Sequence, residues 1–198
     1  MPATPKHFLQ FKDFTRDQFA HLFERTRWIK ERFKRYELYQ PLRDRTLAMV
    51  FEKPSTRTRV SFEAGIVELG GSAIYISGSD SQLGRGESIR DTAYVLSRYL
   101  DAILIRTFRQ EDVEELAQHA ALPVINGLTD EEHPCQALAD LMTLRERFGS
   151  LRGLRVAYVG DGRNNVTHSL IQACALVGAD LAVASPAGHE PDARVVSG

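Results

Sequence analysis

The residues in this sequence with the most chemistry to offer stand just after short apolar runs. Residues 46–51 are apolar and lead into Glu52, Lys53, Pro54, Ser55, Thr56, Arg57, Thr58 and Arg59, ahead of a helical pattern. Hydroxyls, the free N–H groups of a helix start and a guanidinium together suit an oxyanion, phosphate above all. The segment lacks the glycines and the Gly-Lys-Ser/Thr ending of a Walker loop. A capped helix with exposed arginines is the plainer reading of the same residues.

Arg106 stands near the end of a second apolar run, 102–107. A charge inside a buried strand costs several kcal/mol unless it is paired. Its partner is therefore an anion, either an internal carboxylate or a ligand, and the neighbouring loops favour the ligand. His133 and Gln136 flank Pro134 and Cys135. Proline suits a first helical turn, which puts His133 and Gln136 at a helix mouth. Packing is the alternative for this His–Cys neighbourhood, and nothing in the spacing activates Cys135 as a nucleophile. The polar, glycine-rich stretch 78–88, which contains Gln82, reads by itself as an ordinary connection. Gly160-Asp161-Gly162-Arg163-Asn164-Asn165 opens like a dinucleotide fingerprint, but Asn165 replaces the third glycine. The acidic residue expected about 20 positions further on is missing too, so NAD is not expected.

These residues need elements to hold them. Thr15 with Gln18 forms a capping-box pattern ahead of Phe19, Leu22, Phe23, Ile29, Phe33 and Tyr36 at helical spacing, with a basic face turned to solvent. Apolar runs at 46–51, 73–77, 102–107, 123–128, 155–160 and 181–185 read as strands. Amphipathic stretches at 60–69, 89–100, 111–120, 134–148 and 166–177 read as helices between them. Gly70-Gly71 and Gly178 sit where helices stop, and Gly149 and Gly153 suggest a hinge. The alternation predicts an α/β fold with a doubly wound parallel sheet, whose ligands bind beyond the carboxyl ends of the strands.

Composition removes several classes. With 198 residues, 25 Lys+Arg and 26 Asp+Glu, the net charge is −1, which argues against a nucleic-acid or membrane-surface binder. No run approaches the ~18 apolar residues of a membrane span. Two cysteines, Cys135 and Cys174, are too few for a disulfide framework, so a reducing, cytoplasmic setting is expected. The length falls between one domain and two.

Taken together and in order, the strand-end segments resemble the aspartate/ornithine carbamoyltransferase family. Residues 51–63, with Ser55-Thr56-Arg57-Thr58-Arg59, are similar to its carbamoyl-phosphate signature, and His133-Pro134-Cys135-Gln136-Ala137-Leu138-Ala139-Asp140-Leu141 resembles its second signature. The resemblance runs from the first helix to about residue 185. Cys135, where aspartate enzymes usually have Thr, and Asn164-Asn165 point to the ornithine branch; Thr56 departs from the acetylornithine type. Putrescine enzymes share much of this region and stay open.

The resemblance implies transfer of a carbamoyl group from carbamoyl phosphate to the δ-amine of L-ornithine, giving citrulline and phosphate, with no metal or organic cofactor. It implies that Ser55, Thr56, Arg57 and Thr58 hold the phosphate, and that Arg106, His133 and Thr58 surround the carbonyl oxygen. Gln136 would hold the carbamoyl nitrogen, Asn165 the amino-acid end of ornithine, and Gln82 would come from a neighbouring subunit of a homotrimer. It also implies a role in arginine metabolism and a division into a carbamoyl-phosphate domain, 1–150, and the beginning of an ornithine domain, 151–198. The family's Ser-Met-Gly loop and His-Cys-Leu-Pro motif do not occur in these residues. The second domain is therefore expected to be incomplete, and a chain that binds carbamoyl phosphate and assembles without turnover is the alternative.

Overall fold

The computed structural model describes residues 6–78 and 86–197. Among them, β1 (Thr46–Phe51), β2 (Ser72–Ser77), β3 (Ala102–Arg106) and β4 (Val124–Leu128) form one parallel sheet in the order β2-β1-β3-β4. A second parallel pair joins β5 (Arg155–Val159) to β6 (Asp180–Ala184). The helices are α1 (Arg16–Lys34), α2 (Thr56–Glu68), α3 (Ile89–Leu96), α4 (Gln110–His119), α5 (Pro134–Phe148), α6 (Asn165–Val177) and α7 (Ala193–Ser197). The α/β class and the parallel, doubly wound sheet expected from the alternation are both present.

The strand order reverses between β1 and β3. The chain runs outward from β1 to β2, crosses back to β3 and continues to β4. Phe51 pairs with Arg106, so the two carboxyl ends stand side by side at the switch point. Every residue from Leu47 to Phe51 is buried, as the central strand of a sheet covered on both faces requires. One face packs Ala48, Val50, Ile103 and Ile105 against Ala93 of α3 and Val113 and Leu116 of α4. The other packs Leu47, Met49, Phe51 and Leu104 against Phe62 and Ile66 of α2.

The boundaries differ from the expected ones where local polar chemistry decides. Ser55 is the N-cap of α2, its Oγ accepting the Thr58 N–H at 3.3 Å, so the helix starts at Thr56 rather than near residue 60. Helix α3 stops at Leu96 instead of residue 100. Ser97 Oγ donates back to the Ala93 carbonyl at 2.6 Å and accepts the Ala121 N–H at 3.0 Å, tying the helix end to the loop before β4. The Thr15–Gln18 capping box forms as expected, and Gly178 ends α6 in the left-handed conformation, at φ 75°. The pattern also missed α7, the short 3-10 turn Phe11–Asp13, and Phe8, which adds a parallel bridge beside Ile125 at the sheet edge. Gln82 lies outside the described residues.

A third apolar cluster joins the two ends of the chain. Phe11, Phe19 and Phe23 meet Ala137 and Leu141 of α5 and Leu170, Ala173 and Cys174 of α6. The short β5–α6–β6 unit thus does not rely on a core of its own: α6 is buried against α1 and α5. Leu141, fully buried at this junction, is expected to cost ~3 kcal/mol when truncated to Ala. Urea unfolding checks it, and a loss under ~1 kcal/mol would contradict a shared, tightly packed junction.

Candidate active site at the sheet switch point

A cleft of about 790 Å³ opens beyond the carboxyl ends of β1 and β3, between the N-termini of α2, α5 and α6. Ser55, Arg57 and Thr58 line it from the first turn of α2, and Arg106 from the end of β3. His133, Gln136 and Asn165 close the opposite side. Thr56 is exposed in the same helical turn and does not line the cleft. A larger cleft, about 980 Å³, lies elsewhere, lined by Glu111, Glu114, Glu131, Glu132, Glu190 and Asp192 against only Lys12, Arg163 and Arg194 among Lys and Arg residues. Its excess of carboxylates makes it a poor receptor for an anion.

Three features make the smaller cleft positive. The N-terminus of α2 points its first N–H groups outward, beyond the reach of intrahelical carbonyls. Arg57 and Arg106 add two guanidinium charges, and among the described residues neither forms an ion pair. The sequence left open whether an internal carboxylate answers Arg106; among the described residues none pairs with it. Its Nε donates to the Lys53 carbonyl at 3.2 Å instead. Burial, then repulsion from Arg57, lowers the Arg106 pKa from its ordinary value.

The backbone fixes this arrangement. Glu52 N–H donates to the Arg106 carbonyl at 2.9 Å, so strand pairing continues into the loop. Lys53 pairs with Asp130 beyond β4 and sits 4.6 Å from the centre of the Phe108 ring. Thr107, fully buried, hydrogen-bonds the Glu52 carboxylate. The loop after β1 is therefore held from β3 and β4 at once. Lys53 and Glu52 stand inside the motif that drew attention to phosphate, yet neither role was visible, since both partners lie far along the chain.

The opposite wall carries the polar groups of His133, Gln136 and Asn165, with the Asp140 carboxylate beside them. His133 is the N-cap of α5 at φ −137° and ψ 68°, and its ring Nδ1 is buried without a partner among the described residues. Burial, with Arg106 nearby, pushes its pKa down to about 4. Gln136 Nε2 donates to Asp140 at 2.9 Å, which leaves its oxygen to accept. Asn165 Nδ2 donates to the Thr129 carbonyl at 2.6 Å, so it too keeps an oxygen free of that bond. Cys135 donates to the Asn126 carbonyl at 3.3 Å, and burial pushes its thiol up to about 12, which suits packing and not nucleophilic attack.

The comparisons with known proteins fit this geometry. The family model described as the aspartate/ornithine carbamoyltransferase carbamoyl-P binding domain matches residues 6–146, and that described as the Asp/Orn binding domain matches 152–198. The chain belongs to the aspartate/ornithine carbamoyltransferase family. An ornithine carbamoyltransferase from Aromatoleum aromaticum is 58% identical over 186 residues, which cover 94% of this chain and 60% of that protein. Among solved structures, the ornithine carbamoyltransferase from Pyrococcus furiosus is 50% identical with a TM-score of 0.95, covering 98% of this chain and 62% of that one. The enzyme from Burkholderia thailandensis is 52% identical with a TM-score of 0.92. The chain thus spans about 60% of the length of the curated relatives it matches.

The depressed pKa of His133 has a measurable consequence. Its ring stays neutral in the folded state while an unfolded His gains a proton near pH 6.5. The His133 contribution to stability is therefore complete above pH 6.5 and is lost progressively as pH falls towards about 4. NMR titration of the ring is expected to give a midpoint near 4; a midpoint near 6.5 would mean the ring is not buried as described.

Proposed function

We propose that this chain carries the carbamoyl-phosphate half of a carbamoyl-transfer site, and that the full-length protein transfers the carbamoyl group to the δ-amine of L-ornithine. The observation that carries the reading is the convergence of Arg57, Arg106 and the α2 N-terminus on one cleft, with neither arginine in an ion pair among the described residues. Phosphate suits that vacancy of negative charge. Ser55, Arg57 and Thr58 hold the phosphate, with Arg57 its principal charge partner, and Thr56, whose side chain lies outside the cleft, adds only its backbone N–H as the first residue of α2.

The carbamoyl carbonyl oxygen then lies among Arg106, His133 and Thr58. A neutral imidazole can donate a hydrogen bond there without adding a third positive charge, and Arg106 supplies the full charge. The Gln136 oxygen accepts from the carbamoyl nitrogen, and the Asn165 oxygen accepts from the α-ammonium of ornithine. The neutral δ-amine attacks the carbonyl carbon, forming a C–N bond. The C–O bond to phosphate breaks, phosphate leaves with the electron pair, and the amine loses a proton to give citrulline. The mixed anhydride of carbamoyl phosphate is already activated, so position and charge are what this chain contributes, with no cofactor in the proposal.

The same reading takes the working form as a homotrimer in the cytoplasm, engaged in arginine metabolism. Exposed apolar side chains support self-association: Val60 and Val67 on α2, Ile74 on the edge strand β2, and Tyr94 and Tyr99 at and beyond α3. Gln82 would then enter a neighbour's site. Both cysteines are free, in keeping with a reducing compartment. The residues are divided between a carbamoyl-phosphate domain, 1–150, and the start of an ornithine domain, 151–198.

Loss of one donor to a developing oxyanion typically costs ~3 kcal/mol, or ~100-fold in rate. In the full-length chain that contains these residues, Arg57→Ala and Arg106→Ala are each expected to lower citrulline formation by about that factor. Near-wild-type kinetics in both variants would refute the site. Putrescine in place of ornithine gives the competing acceptor: faster turnover of putrescine would overturn the choice of ornithine.

A further inference from the structure

We propose that Glu132 and Ser169 are positioning residues that set the place of His133 in the cleft, coupling it to helix α6. The inference rests on His133 acting in carbamoyl transfer as proposed above. Neither residue lines the cleft that holds Arg57 and Arg106.

His133 N–H donates to Ser169 Oγ at 2.8 Å, and Ser169 Oγ in turn bonds the Glu132 carboxylate. A serine hydroxyl has one proton. Given to Glu132, it leaves the oxygen lone pairs facing His133, so the carboxylate fixes the direction of the whole chain of bonds. Gln172 Nε2 donates to the other carboxylate oxygen. Glu132 and Ser169 are both buried. Lys12 and His168 are the charged or titratable groups that act on Glu132, and Arg106 is the one that acts on His133.

The ring of His133 has little else to hold it. Its backbone sits outside helical geometry, its side chain makes no cap bond, and Nδ1 has no partner among the described residues. Ring placement therefore follows from where the backbone is pinned, and Ser169 supplies that pin. The contact belongs to a continuous docking face: Asn165, His168, Ser169 and Gln172 recur at helical spacing along α6. Asn165 reaches the Thr129 carbonyl at 2.6 Å and His168 Nδ1 lies 3.1 Å from the Glu131 carbonyl. One face of α6 thus follows the loop 129–133 that delivers His133 to the site.

A shift of about 1 Å at a reacting centre can cost ~100-fold in rate, so a loosened His133 is expected to affect kcat by at least ~10-fold. In the full-length chain, Ser169→Ala and Glu132→Ala are expected to lower kcat for citrulline formation by that amount with the KM for carbamoyl phosphate nearly unchanged. Glu132→Gln keeps an acceptor for Ser169 and is expected to recover most of the loss, since the Gln172 amide can turn its oxygen to the new donor. The ring titration of His133, near 4 in the parent, is expected to rise towards 6.5 in Ser169→Ala. Should Ser169→Ala not fold, Glu132→Ala and Glu132→Gln carry the same comparison. Full kcat in Ser169→Ala or in Glu132→Ala, beside a large loss in His133→Gln, would overturn the positioning role alone. Full kcat in His133→Gln would overturn the assignment of His133 itself and this inference with it. A loss of kcat in Glu132→Gln as deep as in Glu132→Ala would overturn the hydrogen-bond account.

Discussion

Two like charges facing one opening govern the rest of this site. Arg57 and Arg106 repel each other, and among the described residues neither is relieved by an ion pair. A flexible pair would swing apart into water. Here Arg106 is tethered through Nε to the Lys53 carbonyl, while its own carbonyl accepts from Glu52. The α2 N-terminus, fixed by Ser55, carries Arg57. The repulsion is thus held in place by strand pairing and a helix cap, which leaves a positive hollow. The neutrality of His133 is a consequence: burial disfavours its cation, and Arg106 disfavours it further.

That hollow depends on the sheet topology more than on any one loop. Reversal of strand order between β1 and β3 puts Phe51 opposite Arg106, with no crossover helix covering the gap. The apolar content of β1 follows from the same fact, since a central parallel strand is covered on both faces. A charged residue can stand at the end of β3 because the crevice begins there. One residue earlier, Ile105 is 4% exposed and packs into the core.

How much of this could be read from the sequence depends on the range of each interaction. Strands such as 46–51 and helices such as 134–148 announce themselves by local periodicity, and the Thr15–Gln18 box by a three-residue spacing. Ser55, Arg57, Thr58, Arg106, His133, Gln136 and Asn165 were legible as strand-end residues, and all line one cleft. The helical state of Thr56–Arg59 was not, because Ser, Thr and Arg are as common in loops as in first turns; the Ser55 cap decided it. Lys53 with Asp130, Thr107 with Glu52, and Glu132 with Ser169 were also invisible. Each joins residues tens of positions apart, where no local period exists. The end of α3 was misplaced for the same reason, since Ser97 answers to Ala121.

The unexpected dependence of the short β5–α6–β6 unit on the preceding residues bears on how the site is completed. Two strands and one helix cannot bury enough apolar surface alone, and α6 instead packs Leu170, Ala173 and Cys174 against α1 and α5. The polar edge of the same helix meets the loop 129–133. Apolar packing therefore sets where α6 lies, and hydrogen bonds along its edge set where His133 and Asn165 point. A change in α6 that left its apolar face intact could still move two residues on the far wall of the cleft. The walls of the cleft are in this way joined from opposite sides: one by the sheet switch point, the other by a helix that arrives later in the chain.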